Sequence, residues 1–409
     1  MAKIGNFFIA GDDGFDGIYK SGVSYSLTSA SPVSTIFHIP DSEWIVEVQS
    51  SSKYIVARTT SRLSHSEVQS FGLKHIQQFL DILSVQGIMS TTVNAPATSN
   101  ICVHTKDEQT ILTTYNQFPM PMGINVEIQH TDSEGNLVPP TPEPVPVWNE
   151  SFRYYRLSQC SDDSFEAYRN LFLAFEAQLN NLHPKKNNEG ERKWLERALT
   201  MIHKNISLTE FVPKGESPVK YIVKTQYQDV RCKLQHAKFP KSHLPHSSLS
   251  PTLVKNAYGQ LLRIWRKISG SFFNIKTSGG VITYQGFAIM MKNALTAGVS
   301  THYTSDPTPI DKTDTLVSPR GKVTAQFNTS SYLGEVDLGV VRIKSSEETE
   351  IVINSLASPI FRVCIVLQST LLAVSYLKDG LEISGVDCWE NVADLILVNS
   401  QQPKDYFAT

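Results

Sequence analysis

The chain has 409 residues, of which 41% are hydrophobic, 19% charged and 10% aromatic, the composition of an ordinary globular protein with room for two or three domains. Its longest apolar run, Ser358 to Tyr376, is broken by Arg362, Gln368 and Ser369, which excludes a membrane helix. The formal charge of −2 hides an uneven distribution: between Ser217 and Lys276 eleven Lys/Arg face a single acid, Asp229, so that segment stands at +10 and the rest at −12.

The amino terminus has too short an apolar stretch, and meets Asp12 and Asp13 too early, for a secretory signal; a cytoplasmic address is expected. Gly11-Asp-Asp-Gly has no following helix or P-loop lysine and reads as a turn. Runs at Ser34 to Ile39, Trp44 to Val48 and Tyr54 to Thr59 are rich in β-formers and predict strands. From Ser66 to Val85, the spacing of Val68, Phe71, Ile76, Phe79 and Leu83 predicts one helix, with Ser66 as its cap. These elements make residues 1–131 a β-rich amino-terminal domain carrying one helix. Residues 132–150, with five prolines in the eight residues from Pro139 to Pro146, read as an extended linker.

After Asp162 the period changes. Phe165, Tyr168, Phe172, Phe175, Leu179 and Leu182 mark the apolar stripe of a first helix, and Leu195, Ala198, Leu199 and Ile202 that of a second. Glu176, on the side of the first helix away from Phe172, is a candidate to orient a motif residue, although a surface carboxylate is the expected reading. Ser217 and Pro218 open a third helix through Val223, Tyr227, Val230, Leu234 and Ala237; Ser250-Pro251 opens a fourth through Val254, Ala257, Leu261, Ile264 and Ile268. Residues 151–275 are therefore expected to form a central α-helical bundle. Strand-like runs at Val323 to Phe327, Val336 to Ile343, Glu350 to Ile353, Phe361 to Leu367 and Leu371 to Leu377 predict a separate β-sandwich-like domain over 276–409. The fold class expected is α+β multidomain in that order.

Five cysteines, Cys102, Cys160, Cys232, Cys364 and Cys388, stand far apart without a C-x-x-C pair and read as reduced thiols; no metal and no cofactor is expected. A basic segment inside an acidic chain points to an anionic ligand. Within it the third helix ends on Arg231-Cys-Lys-Leu-Gln-His236. RNA carries its own nucleophile, the 2′-hydroxyl, so its cleavage needs a proton carrier near neutrality and a cation for the phosphorane, which His236 and Arg231 can supply without metal. Lys233 and Lys238 flank the pair, and Lys220, Lys224, Arg263, Arg266 and Lys267 recur on neighbouring helices as a phosphate track. On an ideal helix Arg231 and His236 lie roughly 140° apart, so convergence needs a frayed end or a second copy of the site. A second match, Arg197 and His203, lies beside Glu191 and Glu196 and reads as solvated surface; His243 and His246 read as exposed loop histidines.

The run Phe152-Arg-Tyr-Tyr-Arg-Leu through Glu176, and the segment Val230-Arg-Cys-Lys-Leu-Gln-His-Ala-Lys, resemble the HEPN superfamily, nearest to its MauJ-like and ApeA-like branches, whose ribonuclease members carry R-x(4-6)-H near the end of a helix. The resemblance spans about 120 residues. It implies a homodimer with a composite Arg/His site across a basic cleft, RNA as partner, and a place in bacterial defence or toxin systems. The outer β domains would then be regulatory, sensing a ligand or protein. Where the family commonly has Asn, Asp or His after the arginine, this chain has Cys232, a poor hydrogen-bond donor. The competing expectation is a non-catalytic dimeric binding or scaffold protein built on the same helices.

Overall fold

The computed structural model of the protein describes residues 2–12, 18–94, 99–123, 130–138, 145–235, 250–275, 281–356, 359–399 and 403–404. Runs rich in β-formers make strands at Thr35–His38, Trp44–Val48 and Tyr54–Thr59, as their composition expects, and the last two are buried at every position. These join a nine-stranded sheet in the spatial order Thr329–Asp337, Val340–Glu348, Cys388–Asn399, Gln109–Met122, Ser99–Lys106, Ser21–Ser26, Tyr54–Thr59, Trp44–Val48, Thr35–His38. A seven-stranded sheet runs Thr324–Gln326, Val299–Thr304, Ile360–Leu367, Thr370–Ile383, Ala2–Ile4, Phe7–Asp12, Ile18–Tyr19. Ile4, Phe7, Tyr303, Val363 and Leu381 of the second sheet share one buried cluster with Val56, Val103, Leu112 and Trp389 of the first.

The helix His65–Val85 starts two residues earlier than its pattern suggests, because Ser64 and Glu67, rather than Ser66, close a capping box. Val68, Gly72, Ile76, Phe79, Leu80 and Leu83 form its buried face, and Phe71 turns out to solvent. Gly72 permits this seat: a Cβ there would stand 2.3 Å from the Val23 side chain.

Contacts divide the chain into two compact units, one built from 1–122 with 282–398 and the other from 123–281 with 399–407. The expected fold class is thereby corrected. A β-rich amino-terminal domain, a central helical bundle and a separate carboxy-terminal β-sandwich-like domain are not what the chain builds, since a block of strands from each end joins the other within the same two sheets. Ala2, Lys3 and Ile4 pair antiparallel with Ile383, Glu382 and Leu381, and Cys388–Asn399 lies beside Gln109–Met122. The helices are likewise spread through the chain rather than gathered centrally: His65–Val85, Tyr284–Thr296 and Thr349–Ser355 belong to the β unit. The last of these overturns the strand expected at Glu350 to Ile353; three apolar residues in a row fit either element, and within 350–353 only Val352 is buried. The expected strand at Val336 to Ile343 is two strands, turned at Gly339 with φ of +70°.

In the other unit, Ser151–Cys160, Ser164–Leu182, Glu191–Asn205, the helix 218–235 and Ser250–Phe273 contribute to one core that includes Phe165, Tyr168, Phe172, Phe175, Leu199, Val230, Leu261 and Trp265. Of the proline-rich stretch, residues 139–144 lie outside the described residues. Among the described residues no helix is long and apolar enough to cross a membrane, and all five cysteines are unpaired.

Candidate functional site

The helix that ends at the Arg/His motif starts as the sequence indicates, with Ser217 as N-cap and Pro218 in its first turn, but does not continue as an α-helix. Pro218–Ile222 is α-helical, Val223–Arg231 is a π-helix, and Cys232–Gln235 is α-helical again. The wider turn has a visible cause. Tyr168 is fully buried and its hydroxyl needs an acceptor; it donates to the backbone carbonyl of Gln226 at 2.7 Å, entering the helical ladder. Gln226, rather than Tyr227, then takes the buried position, and its Nε2 donates to Gln260 Oε1 at 2.6 Å and to the Ala257 carbonyl at 3.1 Å. Wide turns of this type recur at functional sites because they re-aim the residues that follow.

The residue re-aimed is Arg231. Its guanidinium lies 5.3 Å from the Tyr227 ring centroid and 5.9 Å from that of Phe172, and Nη2 is 3.6 Å from Glu176 Oε1. Its side chain is 21% exposed, and its Nε is buried without a hydrogen-bond partner among the described residues. Glu176 is therefore no surface carboxylate facing away from Phe172. One helical turn separates the two, so both present to Arg231.

Burial pushes the Glu176 carboxyl up to about 7, opposed by the Arg231 charge and reinforced by Glu191, which also hydrogen-bonds to it. Glu191 is in turn held by Lys185. Burial likewise raises Tyr227, and the neighbouring Cys232 adds to the effect. The result is a guanidinium, a phenol and a thiol on the helix 218–235 facing a raised carboxyl on the helix Ser164–Leu182, and raised acids of this kind recur at functional sites. The space at Arg231, lined also by Tyr168, Arg169, Phe172, Leu173, Leu234 and Gln235, measures about 10 Å³, room for one water molecule.

The other expected site residues are placed as follows. Lys233 is 3.9 Å from Asp229 and Lys267 is 3.0 Å from Glu210, so both cations have acidic partners. Lys220, Lys224 and Arg263 are exposed, and Arg266 is half-buried. Arg263 lies across from Tyr221 and Thr225 in a groove on the other flank of the helix 218–235. His236 and Lys238, together with His243 and His246, lie outside the described residues. Arg197 and His203 serve structure: Arg197 binds Glu189 at 2.8 Å and the Pro184 carbonyl at 2.9 Å, and His203 Nδ1 accepts from the Leu208 amide at 3.1 Å. Among the described residues no cluster of three His, Cys, Asp or Glu side chains is arranged to hold a metal ion.

Glu176, which the sequence offers as a partner for a motif residue but places first at the surface, is the site residue whose setting the sequence misjudges, because a charge bordering an apolar stripe reads as solvated until Arg231 is brought to it. No family model, curated protein or solved structure matches the chain.

Proposed function

We propose that the protein is a metal-independent RNA endonuclease acting as a pair of chains, of the HEPN type and serving a bacterial defence or toxin-like system in the cytoplasm. The observation that carries this reading is the setting of Arg231: a half-buried guanidinium, held between two rings and a protonatable carboxyl, on the helix that leads to His236. In the reaction, His236 of one chain takes the proton of the 2′-hydroxyl as O2′ bonds to phosphorus. The P–O5′ bond breaks, O5′ receives a proton from the second chain's imidazolium, and the products are a 2′,3′-cyclic phosphate and a 5′-hydroxyl. Arg231 stabilises the charge gathered on the phosphorane oxygens. The space beside Arg231 in one chain holds about one water, so the reading requires the phosphate to be seated by a second copy. Regulation by a ligand or protein at the β unit is part of the same proposal.

The test is cleavage of a mixed RNA pool by the full chain in EDTA. Arg231→Ala and His236→Ala are each expected to lower the rate at least about 100-fold, the usual loss when a charge-stabilising or proton-transferring group is removed. Absence of cleavage by the unaltered chain, or cleavage indifferent to both substitutions, removes the catalytic reading. The second reading, a dimeric binding protein without activity, is favoured by that same small space and by Cys232; it predicts RNA or protein binding with no 2′,3′-cyclic ends.

A further inference from the structure

On the flank of the helix 218–235 opposite Glu176 lies an open groove of about 590 Å³, walled by Tyr221, Thr225 and Asp229 on one side and by Leu253, Asn256, Gln260 and Arg263 of the helix Ser250–Phe273 on the other. Its size is that of a small-molecule site. Val230 and Ala257 form a buried apolar floor, and Leu253 extends it outward at 42% exposure.

The polar groups along the groove fall into two sets. Thr225, Gln260 and Asp229 are engaged: the Thr225 hydroxyl donates to the Tyr221 carbonyl at 2.9 Å, Gln260 Nε2 donates to the Phe211 carbonyl at 2.7 Å, and Asp229 faces Lys233 at 3.9 Å. Three others have no partner among the described residues: the Arg263 guanidinium, the Asn256 amide and the Tyr221 hydroxyl. Lys224, one turn along from Tyr221, is exposed and equally without a partner among the described residues. The groove therefore presents an aromatic ring, an amide with both donor and acceptor, and a cation unpaired among the described residues, over an apolar floor.

We propose that this groove binds a nucleoside phosphate, either free or as one unit of a strand. The base lies against Tyr221 and the apolar floor, where any base offers a stacking face. Asn256 meets the donors and acceptors on its edge, and Arg263 takes the phosphate in its planar fork with Lys224 beside it. Inorganic phosphate alone leaves the ring and amide unused, and an uncharged nucleoside leaves Arg263 unpaired, so the complete ligand must bind more tightly than either part. The groove is separate from the space beside Arg231, and its occupancy does not depend on the nuclease reading.

The experiment is a binding titration of the full chain in EDTA with AMP, UMP and a short 2′-deoxy single strand, which has no 2′-hydroxyl to be cut; adenosine and inorganic phosphate serve as part-ligands. Saturable binding of a nucleotide or of the strand is expected, weakened about tenfold or more by Tyr221→Leu and by Arg263→Gln. Asn256→Ala, on an exposed turn, gives a third reading if either variant fails to fold. Lys193→Gln, an exposed cation on the helix Glu191–Asn205, should change binding less than about twofold, as an isolated surface charge does. Mononucleotide binding identifies a free ligand, and binding of the strand alone identifies a unit of nucleic acid. No binding beyond that of inorganic phosphate, or binding that survives the three groove substitutions, overturns the proposal, whatever the outcome of the RNA cleavage assay.

Discussion

Arg362 in the β unit and Arg231 in the helical unit are the same chemical group in two different settings. Arg362 is fully buried: Nη2 meets Asp314 Oδ2 at 2.7 Å and Nη1 donates to the Thr308 carbonyl at 3.1 Å. Around it Asp306 gathers the loop between the strands Val299–Thr304 and Thr324–Gln326, accepting from Thr308, Ser318 and the Arg320 amide. Burial alone would raise the Asp306 carboxyl; those hydrogen bonds to the ionised form instead hold it far below the usual range. Arg231 meets Glu176 at 3.6 Å, stays 21% exposed, and faces a carboxyl that burial pushes up to about 7. A guanidinium with close partners on two nitrogens is committed to structure, whereas one with a long contact and a neutralisable partner keeps capacity for an anion.

Arg362→Leu should destabilise the β unit by about 3–5 kcal/mol in urea unfolding, because Asp314 and the Thr308 carbonyl lose their partner in a buried setting. A cost below about 1 kcal/mol would mean that Arg362 is not the tie it looks to be.

Glu176→Gln tests the setting of Arg231 through pH. The folded-state value of about 7 lies above the ordinary 4.5, so the stability associated with neutral Glu176 is full below about 4.5 and is lost as pH rises through about 7. The glutamine variant should therefore show a flatter stability profile between those limits and be more stable at pH 8, on the order of 2 kcal/mol. An unchanged profile would remove Glu176 as the titrating partner of Arg231.

Arg231→Ala should cost only about 1 kcal/mol of stability, the scale of a partly exposed cation–π contact with a weak ion pair, while lowering RNA cleavage at least about 100-fold. A loss as large as that of Arg362→Leu would merge the two arginines into one structural class. Smallest is Tyr168→Phe, which removes the hydroxyl inserted at Gln226 and should cost about 1 kcal/mol, with faster amide exchange confined to 223–231. If exchange there is unaltered, another interaction holds the wide turn.

Local pattern was legible wherever one face of an element decides its burial. The stripe Phe165, Tyr168, Phe172, Phe175 and Leu179 is buried as its period requires, and Tyr54–Thr59 is a strand within the bounds its β-formers mark. Of the candidate site, Arg231 and the basic character of its segment were visible in the sequence, and so was the groove residue Arg263. Gln226 at a core position was not, because a polar residue reads as exposed until its partners Tyr168, Ala257 and Gln260 are brought to it from elsewhere in the chain.

By itself the sequence determined which segments are apolar, where the positive charge gathers, and where the Arg231 helix begins, since each of these depends on neighbours within a few residues. Only the tertiary structure decided that strands near residues 2 and 383 pair, that Tyr168 widens the Arg231 helix, and that Glu176 titrates near neutrality. Pairing partners, inserted hydroxyls and the dielectric around a carboxyl are set by residues distant in the chain, and local periodicity carries no record of them.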